Sequence, residues 1–137
     1  MRKIRNAATG KKATAWRNFS AYIRARDALA TTGTLDYCKC ITCGRVVPIE
    51  QIDAGHAIGS RRNGVLFDET IVFGQCRTCN REGGGQYEKY KSVLVERNGI
   101  EWYESKERAR REPVELTDEA LTLISKLYLD KYKELTK

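Results

Sequence analysis

The chain has 137 residues, 41% hydrophobic and 31% charged, which suits one compact domain with a helical extension. No apolar run approaches the roughly 18 to 20 residues that cross a bilayer, and no apolar segment follows the basic N-terminus. A membrane span and a secretion signal are therefore not expected, and a cytoplasmic protein is. The net charge of +7 is concentrated at one end, since residues 1–30 hold eight Lys and Arg against Asp27. A basic block on a neutral body is the electrostatic footprint of a phosphate-backbone binder, so DNA is the expected partner.

Residues 1–12 read as a flexible basic arm. From about Ala13 to Ala30 the spacing predicts a helix, with Trp16, Phe19, Ser20 and Ile23 on one stripe and Arg17, Arg24 and Arg26 off it, able to face DNA. Thr31 to Thr34 is a break. Val46 to Ala57 has β character interrupted by Pro48 and Gly55, and Val65 to Gln75 is mostly extended, strongest at Ile71, Val72 and Phe73. After Gly83-Gly84-Gly85 a helix is expected from about Gln86 to Arg97, with Tyr87, Tyr90 and Leu94 inward and Asn98-Gly99 as its stop. The glycines serve either as a joint or as a place where a DNA backbone can approach. A short helix follows over Ile100 to Arg110 and ends before Pro113. Thr117 is the N-cap of a last helix, with Asp118 and Glu119 in its first turn. Leu121, Ile124, Leu127, Tyr128, Tyr132 and Leu135 give that helix a broad apolar face, which either packs on its own domain or forms a homodimer through residues 117–136.

Five cysteines are present. Cys40-x-x-Cys43 and Cys76-x-x-Cys79, with 32 residues between the pairs, each put two soft thiolates on a tight turn. Two such pairs complete a tetrahedron around a structural zinc. Cys38 is surplus and reads as a buried bystander. Between the knuckles lies Ile52-Asp53-Ala54-Gly55-His56-Ala57, which holds the chain's one histidine. Phosphodiester hydrolysis near neutral pH needs a group that takes a proton from water, and imidazole suits that role. It also needs a divalent cation, magnesium or manganese, to meet the charge that develops on phosphate.

Cys-x-x-Cys-Gly, Ala54-Gly55-His56, Phe67-Asp68-Glu69 and Gln75-Cys76-x-x-Cys79-Asn80, with Trp16 upstream, make residues 15–100 resemble the phage NinG/Rap recombination nucleases. The second knuckle is also similar to that of phage endonuclease VII, a Holliday-junction resolvase, and both belong to the wider HNH group. The resemblance implies an α+β, zinc-clamped ββα-metal core over residues 13–112 between the arm and a C-terminal helix over 113–137. It implies His56 as general base, Asn80 as a ligand of the catalytic metal, and Cys40, Cys43, Cys76 and Cys79 as zinc ligands. Asp53 is the candidate carboxylate ligand. The pattern departs here, because in endonuclease VII the aspartate directly precedes the histidine, whereas Gly55 does so in this chain. A bulge at Gly55 would re-aim one side chain; otherwise Asp68 or Glu82 comes into question. Thr70 stands where HNH motifs carry the asparagine that orients the histidine, and Asn80 stands for the final histidine. Arg61 and Arg62, in a glycine-bounded loop, either grip a phosphate or are ordinary surface arginines.

The function expected is a metal-dependent endonuclease acting on branched recombination intermediates in the cytoplasm, the host's if the chain is phage-encoded. A generic HNH nicking or restriction nuclease and a zinc-stabilised DNA-binding module without catalysis are the alternatives. Removing residues 1–12 takes away five positive charges. DNA binding should weaken and its salt dependence flatten, by roughly 0.9 log units per log unit of salt for each phosphate no longer neutralised. An unchanged slope in salt titrations of the truncated chain would make the arm a bystander.

Overall fold

The computed structural model describes residues 10–59 and 62–137. Helix α1 spans Lys11–Thr32 and is stopped by Gly33, whose left-handed φ of 76° lets its amide close on Leu29 O. The helix is thus longer at both ends than the sequence stripe suggests. Lys11 and Lys12 belong to it, and Lys12 Nζ donates to Asn63 Oδ1 at 2.7 Å; the rest of the basic arm, residues 1–9, lies outside the described residues. A truncation that spares α1 therefore stops at residue 9 and removes three of the five charges.

Among the described residues the strands form two antiparallel pairs. Strands β1 (Tyr37–Lys39) and β2 (Val46–Pro48) flank the first knuckle, and β3 (Ile52–His56) pairs with β4 (Val72–Cys76). The apolar stretch from Val46 to Ala57 is not one strand. Pro48 leads into a single tight turn at Ile49–Gln51, which hands the chain from one pair to the other. The extended reading of Val65 to Gln75 likewise shrinks to its last four residues, which with Cys76 make β4, because Val65 to Thr70 fold into turns closed by Asp68 N to Val65 O and Ile71 N to Asp68 O.

Helices α2 (Tyr87–Asn98) and α3 (Ile100–Arg111) are separated by Gly99 at φ 93°. Glu112 leaves helical geometry directly before Pro113, as the residue ahead of a proline must. Helix α4 (Asp118–Thr136) starts on the Thr117 hydroxyl, which accepts from Ala120 N at 3.1 Å.

The core collects Phe19 and Ile23 of α1, Ala54, Val72, Tyr90, Leu94, Tyr103 and Tyr128. Tyr90 reaches from α2 into the β3–β4 hairpin. Its hydroxyl donates to Gly55 O at 2.7 Å and accepts from Phe73 N at 2.9 Å, bridging the registered pair Gly55 and Phe73. Arg26, expected to face DNA, instead fastens α1 to the start of β4. It donates to Glu69 O at 3.0 Å and Val72 O at 2.9 Å, pairs with Asp27, and lies over the Phe73 ring.

Helix α4 packs on α1. Tyr128 meets Phe19 edge-on with centroids 4.7 Å apart, and Asn18 Nδ2 donates to Ser125 O at 3.0 Å. Leu121 and Tyr128 are buried there, while Leu123 and Leu127 stay exposed. The Tyr128 hydroxyl and Lys131 Nζ both donate to Glu69 Oε2 at 2.7 Å. Burial pushes the Glu69 carboxyl up, but these two donors outweigh it and hold it below the usual glutamate value. A depressed native pKa stabilises the fold above the unfolded value of about 4.3, and the gain is lost as pH falls through the native value. Glu69→Gln should therefore cost about 1 kcal/mol at pH 7 for a partly exposed pair. Urea unfolding measured at several pH values should show that difference shrinking to nothing in acid.

Candidate metal centre and cationic cavity

The two knuckles come together as their spacing predicts. The sulfurs of Cys40, Cys43, Cys76 and Cys79 all lie within 4.8 Å of one another, and Cys43 Sγ stands 3.9 Å from Cys76 Sγ. A tetrahedral zinc with Zn–S bonds of about 2.3 Å needs sulfurs about 3.8 Å apart, so this set can hold a zinc ion. The local chain is built to present thiolates. Gly44, at φ 76°, turns the knuckle, Cys43 N points at Cys40 Sγ, and Thr42 Oγ1 lies 3.4 Å from the same sulfur. Burial raises the Cys40 thiol, yet these donors prevail and lower it to about 6. Cys79 is pushed up to about 12, first by burial and then by the neighbouring sulfurs, the repulsion a divalent cation removes. Arg45 adds a positive group, with Nη2 3.7 Å from Cys76 Sγ.

Cys38 stays outside this set. It is fully buried between α1 and β4, where burial lifts its thiol to about 11.

Beside the sulfur cluster opens a cavity of about 480 Å³, lined by Trp16, Ser20 and Arg24 of α1, Asp53 and His56 of β3, and Arg77, Asn80, Arg81 and Tyr87. His56 is buried and stacks on Trp16, with ring centroids 5.1 Å apart and planes 19° from parallel. Its Nε2 lies 3.1 Å from Leu66 O. A carbonyl can only accept, so Nε2 carries the hydrogen in this contact, and the neutral form of a ring held this way has its lone pair on Nδ1.

Thr70 is not the residue that orients the histidine. It folds back on Asp68 through its own amide and hydroxyl, and the Leu66 carbonyl has the orienting contact. No bulge occurs at Gly55 either, since β3 and β4 pair residue for residue from Ile52 with Cys76 to His56 with Val72. Gly55 is glycine for a different reason: a Cβ there would fall 2.2 Å from Gln75 Oε1. That buried glutamine crosses the strand to donate to Thr42 Oγ1 and Gly85 O at 3.1 and 2.8 Å, linking the first knuckle to the glycine turn. Gly84, Gly85 and Gln86 all have positive φ, which makes that turn a defined reversal into α2.

Asp53 and Asn80 meet directly, Asn80 Nδ2 donating to Asp53 Oδ2 at 3.0 Å. Asp68 and Glu82 do not line the cavity, and Asp68 is paired with Lys106 at 2.8 Å. Arg61 lies outside the described residues. Arg62 is exposed and away from the cavity walls. Among the described residues, the arginines that do line it are Arg24, Arg77 and Arg81. Arg77 and Arg81 are legible as a pair, because residues four apart share one face of a helical turn, and Thr78–Glu82 form a π-helical turn. Tyr87, expected inward, is half exposed between the cavity and Gly85.

These features define a small α+β protein with a four-cysteine cluster beside a cationic cavity. The family described as "Bacteriophage Lambda NinG protein" matches residues 2–137, and the chain belongs to that family. It is similar to Protein ninG of Salmonella phage P22, with 35% identity over 82 residues, 59% of this chain and 36% of that protein. The chain thus aligns with about a third of that relative's length. No solved structure matches it.

Replacing Cys79 with serine should abolish zinc binding and unfold the domain, because binding energy at a four-thiolate site is folding energy. Metal analysis of the purified protein and far-UV circular dichroism of the variant check this. A zinc-free wild type, or a fully folded variant, would contradict it.

Proposed function

We propose that this chain is a metal-dependent DNA endonuclease of the ββα-metal (HNH) type, acting on branched recombination intermediates. The observation that carries the reading is the convergence of His56, Asp53 and Asn80 in one cavity walled by Arg24, Arg77 and Arg81. The succession of β3, β4, the turn that carries Cys79 and then α2 supports the reading, as two paired strands followed by a helix.

His56 acts as the base. Its Nε2–H is held by Leu66 O, and Trp16 limits the ring's rotation, which directs the Nδ1 lone pair to a proton of the attacking water. Asp53 and Asn80 offer the hard oxygen donors that magnesium or manganese prefers, and they are the residues that would hold it. Bound there, the cation would meet the negative charge growing on phosphate and leaving oxygen. The cavity arginines draw in the phosphate backbone and match its paired oxygens. Selectivity for branched DNA rests on the family resemblance, and the exposed Leu123 and Leu127 of α4 are where a second copy would dock to cut two strands.

His56→Ala should slow cleavage about 100-fold or more, the usual scale for losing a positioned base, with zinc content, fold and DNA binding kept. Asn80→Ala should raise the magnesium concentration needed for half-maximal rate. Assays on matched linear, forked and four-way substrates test both variants and the branch preference together. Cleavage by His56→Ala at the wild-type rate would sink the catalytic reading, because the chain has no second histidine. A zinc-stabilised DNA-binding module would then account for the cavity.

A further inference from the structure

Both oxygens of the Asp53 carboxylate are already engaged. Arg81 forks it, Nε to Oδ2 at 2.9 Å and Nη2 to Oδ1 at 3.0 Å, and Asn80 adds its contact to Oδ2. Arg77 Nε stands 3.8 Å from Oδ1. A guanidinium and a metal ion compete for the same carboxylate lone pairs, so the fork opposes a cation at Asp53. The two partners also differ in freedom, the Asp53 side chain being 16% exposed and that of Arg81 60%. A mostly exposed arginine gives up an ion pair at little cost. A phosphate offers its guanidinium the same planar, two-oxygen match that a carboxylate does.

We propose that Arg81 is an exchangeable counter-ion: it rests on Asp53 in the DNA-free protein and moves to a backbone phosphate when nucleic acid enters the cavity. Asp53 is thereby released for a divalent cation when substrate is present. The proposal rests on the reading that Asp53 helps hold that cation. Its consequence is thermodynamic, because DNA and cation must then tighten each other's binding by one common factor. Arg24 lines the same cavity without touching Asp53 and supplies a control for the general field of the cavity.

The test uses the zinc-loaded full chain carrying His56→Ala, so that a short duplex stays intact, and reads free Mn2+ by its paramagnetic resonance signal. Duplex should tighten Mn2+ binding about tenfold, and Mn2+ should tighten duplex binding equally, within the usual range of coupling between sites. With Arg81→Ala added, the DNA-free protein should bind Mn2+ about tenfold tighter and the coupling should fall below about twofold. Arg24→Ala should weaken duplex binding but keep the coupling. Zinc content and circular dichroism confirm the fold, and Arg81→Gln replaces Arg81→Ala if the latter is unstable. Coupling of wild-type size in the Arg81 variant overturns the exchange, as does its loss in Arg24→Ala, which would reduce it to a plain field effect. Asp53→Asn separates the two layers. If it binds Mn2+ as tightly as Asp53 does, the cation reading itself fails. If it loses Mn2+ while the Arg81 variant stays coupled, the exchange alone fails.

Discussion

The convergence of four cysteine sulfurs is the constraint on which the rest of this structure depends. Strands β1 and β2 are three residues long and β3 and β4 five, and isolated two-stranded pairs of that size are marginal in water. The cluster joins the turn between β1 and β2 to the turn that follows β4, so the two hairpins brace each other. A second apolar cluster, with Ala28, Cys38 and Ile52 beside the four clustered cysteines, continues that brace onto α1. Four thiols packed together without a cation repel as they ionise, which is the physical case for a soft divalent ion at their centre.

Helix α1 is the second organising element, and its polar residues matter as much as its apolar stripe. Asp27 accepts from Gly74 N at 2.8 Å, and Arg26 reaches the carbonyls on either side of the approach to β4. Trp16, one turn before Phe19, faces the cavity, where it meets His56. The helix thus presents core, strand anchor and cavity wall from three adjacent faces. Of the three arginines off the apolar stripe, Arg26 is tied down, Arg24 lines the cavity, and Arg17 stays exposed, donating to Thr14 Oγ1 at 3.2 Å.

Much of this architecture is legible in the amino-acid sequence. The Cys-x-x-Cys spacing fixes its own geometry, Thr117 and Gly99 carry local capping chemistry, and Ile71 to Phe73 are strong strand formers. The features that are not legible there depend on contacts between segments distant along the chain. Periodicity does not separate Arg26 from Arg24, since both lie off the apolar stripe, and the carbonyls that claim Arg26 lie more than forty residues away. Position in a motif assigns Thr70 to the histidine, whereas its hydroxyl is close enough to Asp68 to be captured locally, as threonines in turns commonly are. The backbone carbonyl of Leu66, which does orient the ring, leaves no mark in a sequence. Gly55 suggests a bulge because glycine in a strand marks either a bulge or a close approach, and the crossing of Gln75 decides for the approach.

The sulfur cluster and the cavity are not independent sites. Cys79, Asn80 and Arg81 are consecutive, and the π-helical turn that carries them sends the cysteine inward while Asn80 and Arg81 both reach Asp53. On the opposite strand Ile52, which packs against the cysteines, directly precedes Asp53. A shift of the second knuckle therefore moves the partners of Asp53 by a comparable distance, with no flexible segment in between to absorb it. Buried side chains that bridge elements strengthen the same link, Gln75 from the first knuckle to the glycine turn and Tyr90 from α2 to Gly55. What holds the fold together is thus also what sets the spacing between His56 and the Asp53 cluster, and the rigidity of the one is the preorganisation of the other.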